Sequence, residues 1–197
     1  MHMSLSISVF LFVLSYGFSG PRLKRVIYTS SDVAHFSPRP KGFYNESNFN
    51  DERTVEVPIT EKSAWSFVSD HKPDITWDLS VVRPIYVFGP VLQEANSPAD
   101  LSISSAMVYD ALVANDKRPT LQNFSPINCD WVDVRDAALD HVHNIEVPVA
   151  GKDMFILSSG PFIWQDLLDV ANELKIPGTN ALVRNPGFSK TYPFDMV

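Results

Sequence analysis

Between Lys24 and Leu174, short apolar bursts closed by turn residues alternate with segments whose apolar residues recur at helical spacing. This alternation restricts the fold more than any other feature of the chain. A strand–helix repeat buries its apolar surface by packing helices on the faces of a mostly parallel sheet, so the expected class is α/β. Lys24–Ser31 (KRVIYTSS) has a basic start, an apolar centre at Val26, Ile27 and Tyr28, and a polar stop, the form of a short buried strand. Further strands are expected over Ile75–Pro84, Tyr86–Pro90, Cys129–Val134 and Asp153–Ser158. Helical spacing marks Glu61–Asp70 through Ala64, Phe67 and Val68 with Trp65 beside them, and Ser102–Val113 through Ile103, Met107, Val108, Ala111 and Leu112. Asp136–Glu146 is expected to be a helix capped by Asp136, with Leu139, Val142 and Ile145 on one face. Phe162–Leu174 is expected to be another, with Trp164, Leu167, Leu168, Ala171 and Leu174 in phase. Asp32–Asn50 reads as loop.

The 197 residues are 45% apolar and 20% charged, the balance of a globular chain long enough for a real core. A net charge of −7 argues against nucleic acid or anionic lipid as the main partner. A single cysteine, Cys129, rules out an internal disulfide and a cysteine metal cluster, and is expected to be a small buried hydrophobe. Residues 1–20 form an apolar segment around the run Leu5–Leu14, too short to span a bilayer comfortably. It reads as packing against the next element, which leaves the protein cytoplasmic. The other reading is a signal peptide and a secretory route, which the sequons at Asn45 and Asn123 would fit. Residues 21–197 read as one domain, with no internal repeat.

Four segments, in this order, resemble the extended short-chain dehydrogenases/reductases. Lys24–Ser31 resembles the strand that delivers the catalytic serine of that family, and EKSAWSF at Glu61–Phe67 the helix that follows its tyrosine and lysine. VRPIYVFGP at Val82–Pro90 resembles the loop that meets the nicotinamide, and WVDVRDAA at Trp131–Ala138, running into His141, its VDVRD segment. Within the family the likeness is to dihydroflavonol reductases and fungal aldehyde/ketone reductases. It covers about Arg22 to Leu174 and implies a partial Rossmann-like parallel sheet with a small C-terminal substrate lobe, NADP or NAD as cofactor, and a small carbonyl or alcohol as substrate.

The resemblance also exposes two departures. None of the eight glycines gives the G-x-x-G-x-x-G turn whose backbone approaches the cofactor pyrophosphate, so the opening of the dinucleotide-binding half is expected to be missing. Counting back from Trp65 without a gap puts Arg53 at the family's tyrosine position and Val57 at its lysine position. The reaction needs a phenol as general acid and an ammonium that lowers its pKa. Arginine keeps its proton and valine has none to give. A lost segment between Ser31 and Trp65 would explain both the substitution and the shortness of this stretch.

What remains of the family's site is then Ser31, the substrate-binding serine, with Ser30 as the alternative if the register slips by one. Pro84 and Val87 match positions whose backbone meets the nicotinamide, and Ser104 and Ser105 match polar positions near the cofactor phosphates. Each also has a plain structural role: strand-end serine, turn-forming proline, core valine, helix-capping serines. Asp133, Arg135 and Asp136 are architectural in the family. No metal site is expected: His141 and His143 diverge by roughly 200° on a helix. Asp136 and Asp140 are expected on a solvated face. Three readings follow: an incomplete NAD(P)-dependent carbonyl reductase, inactive as written; a non-catalytic pseudoenzyme or binding module; or an incomplete gene product. With the first strands gone, Arg25–Tyr28 becomes a sheet edge, and self-association through it is expected.

Overall fold

A computed structural model describes residues 23–31, 56–113, 129–162 and 164–176. They form two compact units. The first takes in Leu23–Ile85 and Asp136–Leu157, the second Tyr86–Arg135 and Ser158–Ile176.

The first unit is a parallel three-stranded sheet of β1 (Arg25–Thr29), β2 (Asp78–Pro84) and β5 (Met154–Leu157), in the order β1-β2-β5. Register runs from Arg25↔Asp78 to Thr29↔Val82 and from Val81↔Met154 to Pro84↔Leu157. Side chains alternate across the sheet, and the two faces use different chemistry. One face meets α1 (Glu56–Asp70): Leu79 and Val81 pack with Ala64 and Trp77, and Val26, Tyr28, Trp65, Phe67, Val68 and Met154 close around them. The Trp77 indole N–H has no acceptor among the described residues.

The other face carries polar groups that meet α3 (Val134–Glu146). The Ser80 hydroxyl donates to Asn144 Oδ1 at 2.5 Å, and the Asn144 amide donates to the Asp140 carbonyl and carboxylate at 3.0 and 2.9 Å. Arg25 forks onto Asp78 at 2.6 and 3.0 Å and donates to the carbonyls of Asn144, Val147 and Pro148. It thereby ties β1 to the Asn144 carbonyl in the last turn of α3 and to two carbonyls of the turn that follows it. The bonds to Asp78 raise the pKa of the guanidinium still further. Gly151 is glycine because a Cβ there would sit 1.9 Å from Asp78 Oδ2 and 2.5 Å from Arg25 Nη2.

The second unit pairs β3 (Tyr86–Phe88) parallel to β4 (Cys129–Asp133), and β4 antiparallel to β6 (Pro161–Phe162). Its core is aromatic: Phe162 stands edge-on to Phe88 and to Trp164, with centroids 5.1 and 5.4 Å apart. Ala111 of α2 (Ile103–Leu112), with Met107, Val108 and Leu167 of α4 (Trp164–Glu173), completes it. Gly89 has φ +137, a conformation that L side chains rarely adopt, and a Cβ there would meet Val134 Cγ1 at 2.7 Å.

Several expectations need correction. α1 begins at Glu56, before Glu61; Pro58 is tolerated because the first turn has no use for its N–H. α3 begins at Val134, so Asp136 lies in the first turn, and it is Asp133 whose carboxylate accepts the Arg135 N–H at 2.8 Å. Phe162 belongs to β6, before the helix. Ile103 and Leu174 are exposed at their helix ends. The largest correction concerns α3. Leu139, Val142 and Ile145 are 51%, 46% and 66% exposed, while Ala137 and Asn144 are the buried pair. Small Ala137 allows the helix to approach, and Asn144 and His141 bond to the polar positions of the sheet.

Candidate active-site elements

At the carboxyl ends of the parallel strands, where open α/β sheets bind their ligands, a buried polar cluster joins β1, β2 and α1. The chain leaves β1 with the Ser30 N–H donating to the Val82 carbonyl at 2.8 Å. The Ser30 hydroxyl donates to Glu61 Oε2 at 2.6 Å. Arg83, the penultimate residue of β2, forks onto the same carboxylate, with Nε to Oε2 at 2.9 Å and Nη2 to Oε1 at 2.6 Å. The side chains of Glu61 and Arg83 are wholly buried. A buried charge survives only when it is paired and hydrogen-bonded, and each is.

The expected site residues fall around this cluster and elsewhere. Ser31 follows Ser30 and Pro84 follows Arg83. The register of the two strands ends at Thr29↔Val82, with Ser31 two residues past the end of β1 and Pro84 the last residue of β2. Ser31 is half-buried and has interactions of its own. Pro84 is trans, as are all the described peptide bonds. Val57 lies in the first turn of α1, and Arg53 lies outside the described residues, as do residues 1–20 and the Asp32–Asn50 loop. Val87 lies in β3 of the second unit. Ser104 and Ser105 lie in the first turn of α2, whose cap is Ser102; the Ser102 oxygen accepts from the Ser105 N–H.

Around His141 the Nδ1–H donates to the Ala137 carbonyl at 2.6 Å, which fixes the tautomer and leaves Nε2 to accept the Thr29 hydroxyl at 2.8 Å. His143 is exposed, and no three His, Cys, Asp or Glu converge among the described residues. Asp133 is held well below the usual carboxylate range, at about 2, by its side-chain and backbone bonds from Arg135.

Glu61 and Arg83 were not singled out by sequence reasoning. A signal existed in each: a carboxylate next to the apolar positions of α1, and an arginine directly after the apolar pair Val81 and Val82. Ions in such places demand each other.

No protein-family model matches the chain. A putative NADPH-dependent methylglyoxal reductase of Candida albicans is 33% identical over 169 residues, covering 77% of this chain and 47% of that protein. An NADPH-dependent methylglyoxal reductase of Saccharomyces cerevisiae is 27% identical over 194 residues, 89% of this chain and 55% of its own length. The chain therefore spans about half the length of the curated relatives it matches. The crystal structure of yeast methylglyoxal/isovaleraldehyde reductase complexed with NADPH superposes with a TM-score of 0.68 at 26% identity, over 86% of this chain and 53% of that one. Vestitone reductase from alfalfa shares the fold, with a TM-score of 0.69 over 90% of this chain and 56% of that one, at 18% identity. The chain's relatives are thus NADPH-dependent reductases, its structural neighbours are reductases and epimerases of the extended short-chain dehydrogenase/reductase family, and it shares their Rossmann-like fold.

Proposed function

We propose that residues 1–197, as a separate protein, keep the serine strand and part of the substrate lobe of an NADPH-dependent carbonyl reductase but do not themselves turn over a carbonyl. What carries this reading is the gapless count back from Trp65, which puts Arg53 and Val57 at the positions of the family's tyrosine and lysine. Without a phenol beside the carbonyl oxygen there is no general acid for hydride transfer to use. Ser31 can still donate a hydrogen bond to a carbonyl, since a hydroxyl needs no pKa adjustment.

The described residues also do not fit a dinucleotide pyrophosphate. Such a group needs a glycine turn between a strand and a helix N-terminus. Here β4 passes directly into α3, and the carboxylate of Asp133 occupies the N–H of Arg135 that an anion would use. Among the described glycines only Gly89 lies between a strand and a helix, in the long connection from β3 to α2 and not in a tight turn. Several charge-assisted bonds at about 1.5–3 kcal/mol each are thereby forgone. At about 1.4 kcal/mol per tenfold, an affinity in the micromolar range would fall to millimolar or weaker.

The test combines NADPH oxidation with methylglyoxal and a panel of aldehydes and ketones, and calorimetry with NADPH. The expected result is turnover no higher than that of Ser31→Ala and no micromolar binding. Turnover clearly above that control overturns the reading. A second reading, a non-catalytic binding module or self-associating chain, is favoured by two observations. β1 is an edge strand among the described residues, and α3 turns Leu139, Val142 and Ile145 outward. A sedimentation series in which the chain stays monomeric across concentration would remove the self-associating form.

A further inference from the structure

We infer that the Glu61–Arg83 pair is a positioning device: one carboxylate sets the strand ends that carry Ser31 and Pro84. The inference rests on the reading of those two residues as remnants of a reductase site, and it gives a role to Glu61 and Arg83, to which the sequence reading assigned none. Glu61 stands one turn into α1, the helix whose first turn carries Val57. From there its two oxygens reach Ser30 at the end of β1 and Arg83 at the end of β2. Ser30 and Arg83 each precede a candidate site residue by one peptide bond. A rotation of the carboxylate therefore moves both strand ends together, and a fixed carboxylate fixes both.

Three features make the cluster rigid. The guanidinium is planar and forked, so two bonds define its orientation as well as its distance. Both ions are wholly buried, so water cannot replace either partner. Ser30 is tied twice, by its hydroxyl to Glu61 and by its N–H to Val82, so Ser31 leaves β1 from a point with little freedom. An apolar pair of the same volume would fill the space as well, and can be as stable. It would not tie the end of β1 to the end of β2.

The test is ¹⁵N relaxation on the full chain, read at the amides of Ser31 and Ile85, the latter because Pro84 has no N–H. It requires no turnover, so discovery of reductase activity would overturn the proposed function and leave this measurement standing. In the unsubstituted protein both amides should show order parameters of about 0.85, the value of a rigid backbone. Glu61→Gln should lower both below about 0.6 while Phe155 in β5 stays rigid. Ser30→Ala, which spares the ion pair, should loosen Ser31 and leave Ile85 unchanged. Arg83→Lys keeps the charge with a single contact and should lie between. Asn144→Ala, which weakens the opposite face of the sheet, should leave both amides rigid. The inference is overturned if Ser30→Ala leaves Ser31 as rigid as before, or if Asn144→Ala loosens it equally. Should Glu61→Gln fail to fold, Ser30→Ala against Asn144→Ala decides alone.

Discussion

On α3 the usual order of mutational cost should be reversed: removing a buried amide should cost more than removing a leucine. Leu139→Ala deletes a side chain that is about half in water. Full burial of leucine is worth about 1.5–3 kcal/mol, so the expected loss is about 1 kcal/mol or less. Asn144 is 3% exposed and holds three hydrogen bonds, to Ser80, to the Asp140 carbonyl and to the Asp140 carboxylate. Asn144→Ala strands the Ser80 hydroxyl in a residue with no exposure, at about 1–3 kcal/mol for the orphaned group. With the cavity added, the expected loss is about 2–4 kcal/mol. Urea unfolding followed by circular dichroism gives both values. With a slope of about 2 kcal/mol per molar, Asn144→Ala should lower the midpoint by about 1–2 M and Leu139→Ala by less than about 0.5 M. Equal losses, or a larger one for Leu139→Ala, would mean that the outward face of α3 is core in solution, and the packing argument would fail.

Two further outcomes follow from the same unit. Gly151→Ala should destabilise the chain by about 1–3 kcal/mol, because the new methyl collides with the Arg25–Asp78 pair, and Asp78→Ala should relieve part of that loss in a double-mutant cycle. Asp140→Asn should stabilise the chain at neutral pH. Burial raises the Asp140 pKa in the folded state, against smaller opposing effects of His141, His143 and Asn144. A folded pKa above the unfolded one gives a contribution that is present in acid and lost as pH rises through the folded value. The gain from the amide should therefore vanish below about pH 4, and a gain that persists there would refute the assignment.

The class of the fold and the order of its elements were legible in the chain, because strands and helices that each bury one face leave periodic traces. Leu79 and Val81 alternate as strand residues should, and Ala64, Phe67 and Val68 recur as helix residues should; the structure packs them together. The strand ends were legible as places, since Ser31 follows β1 and Pro84 ends β2. The polar clusters were not. Periodicity weighs each residue by its hydrophobicity alone, so it discards Glu61, Arg83, Ser80 and Asn144 as outward-facing. Their burial depends on partners 22 and 64 residues away in the chain, and no local pattern carries that pairing.

The misreading of α3 has the same origin and a definite logic. β2 carries Ser80 between Leu79 and Val81, and β1 ends in Thr29. Alternation sends Leu79 and Val81 to one face and Ser80 to the other, with Thr29 on the side of Ser80. A helix that covers polar strand positions must bring hydrogen-bond partners to them. α3 does so with Asn144 and His141, three residues apart and thus on one side of the helix. Once that side faces the sheet, the helical phase turns Leu139 and Val142 outward, while Ile145, four residues on from His141, is exposed in the last turn of α3. The polar residues of β1 and β2, read first, would have oriented α3 correctly before its own apolar residues were considered.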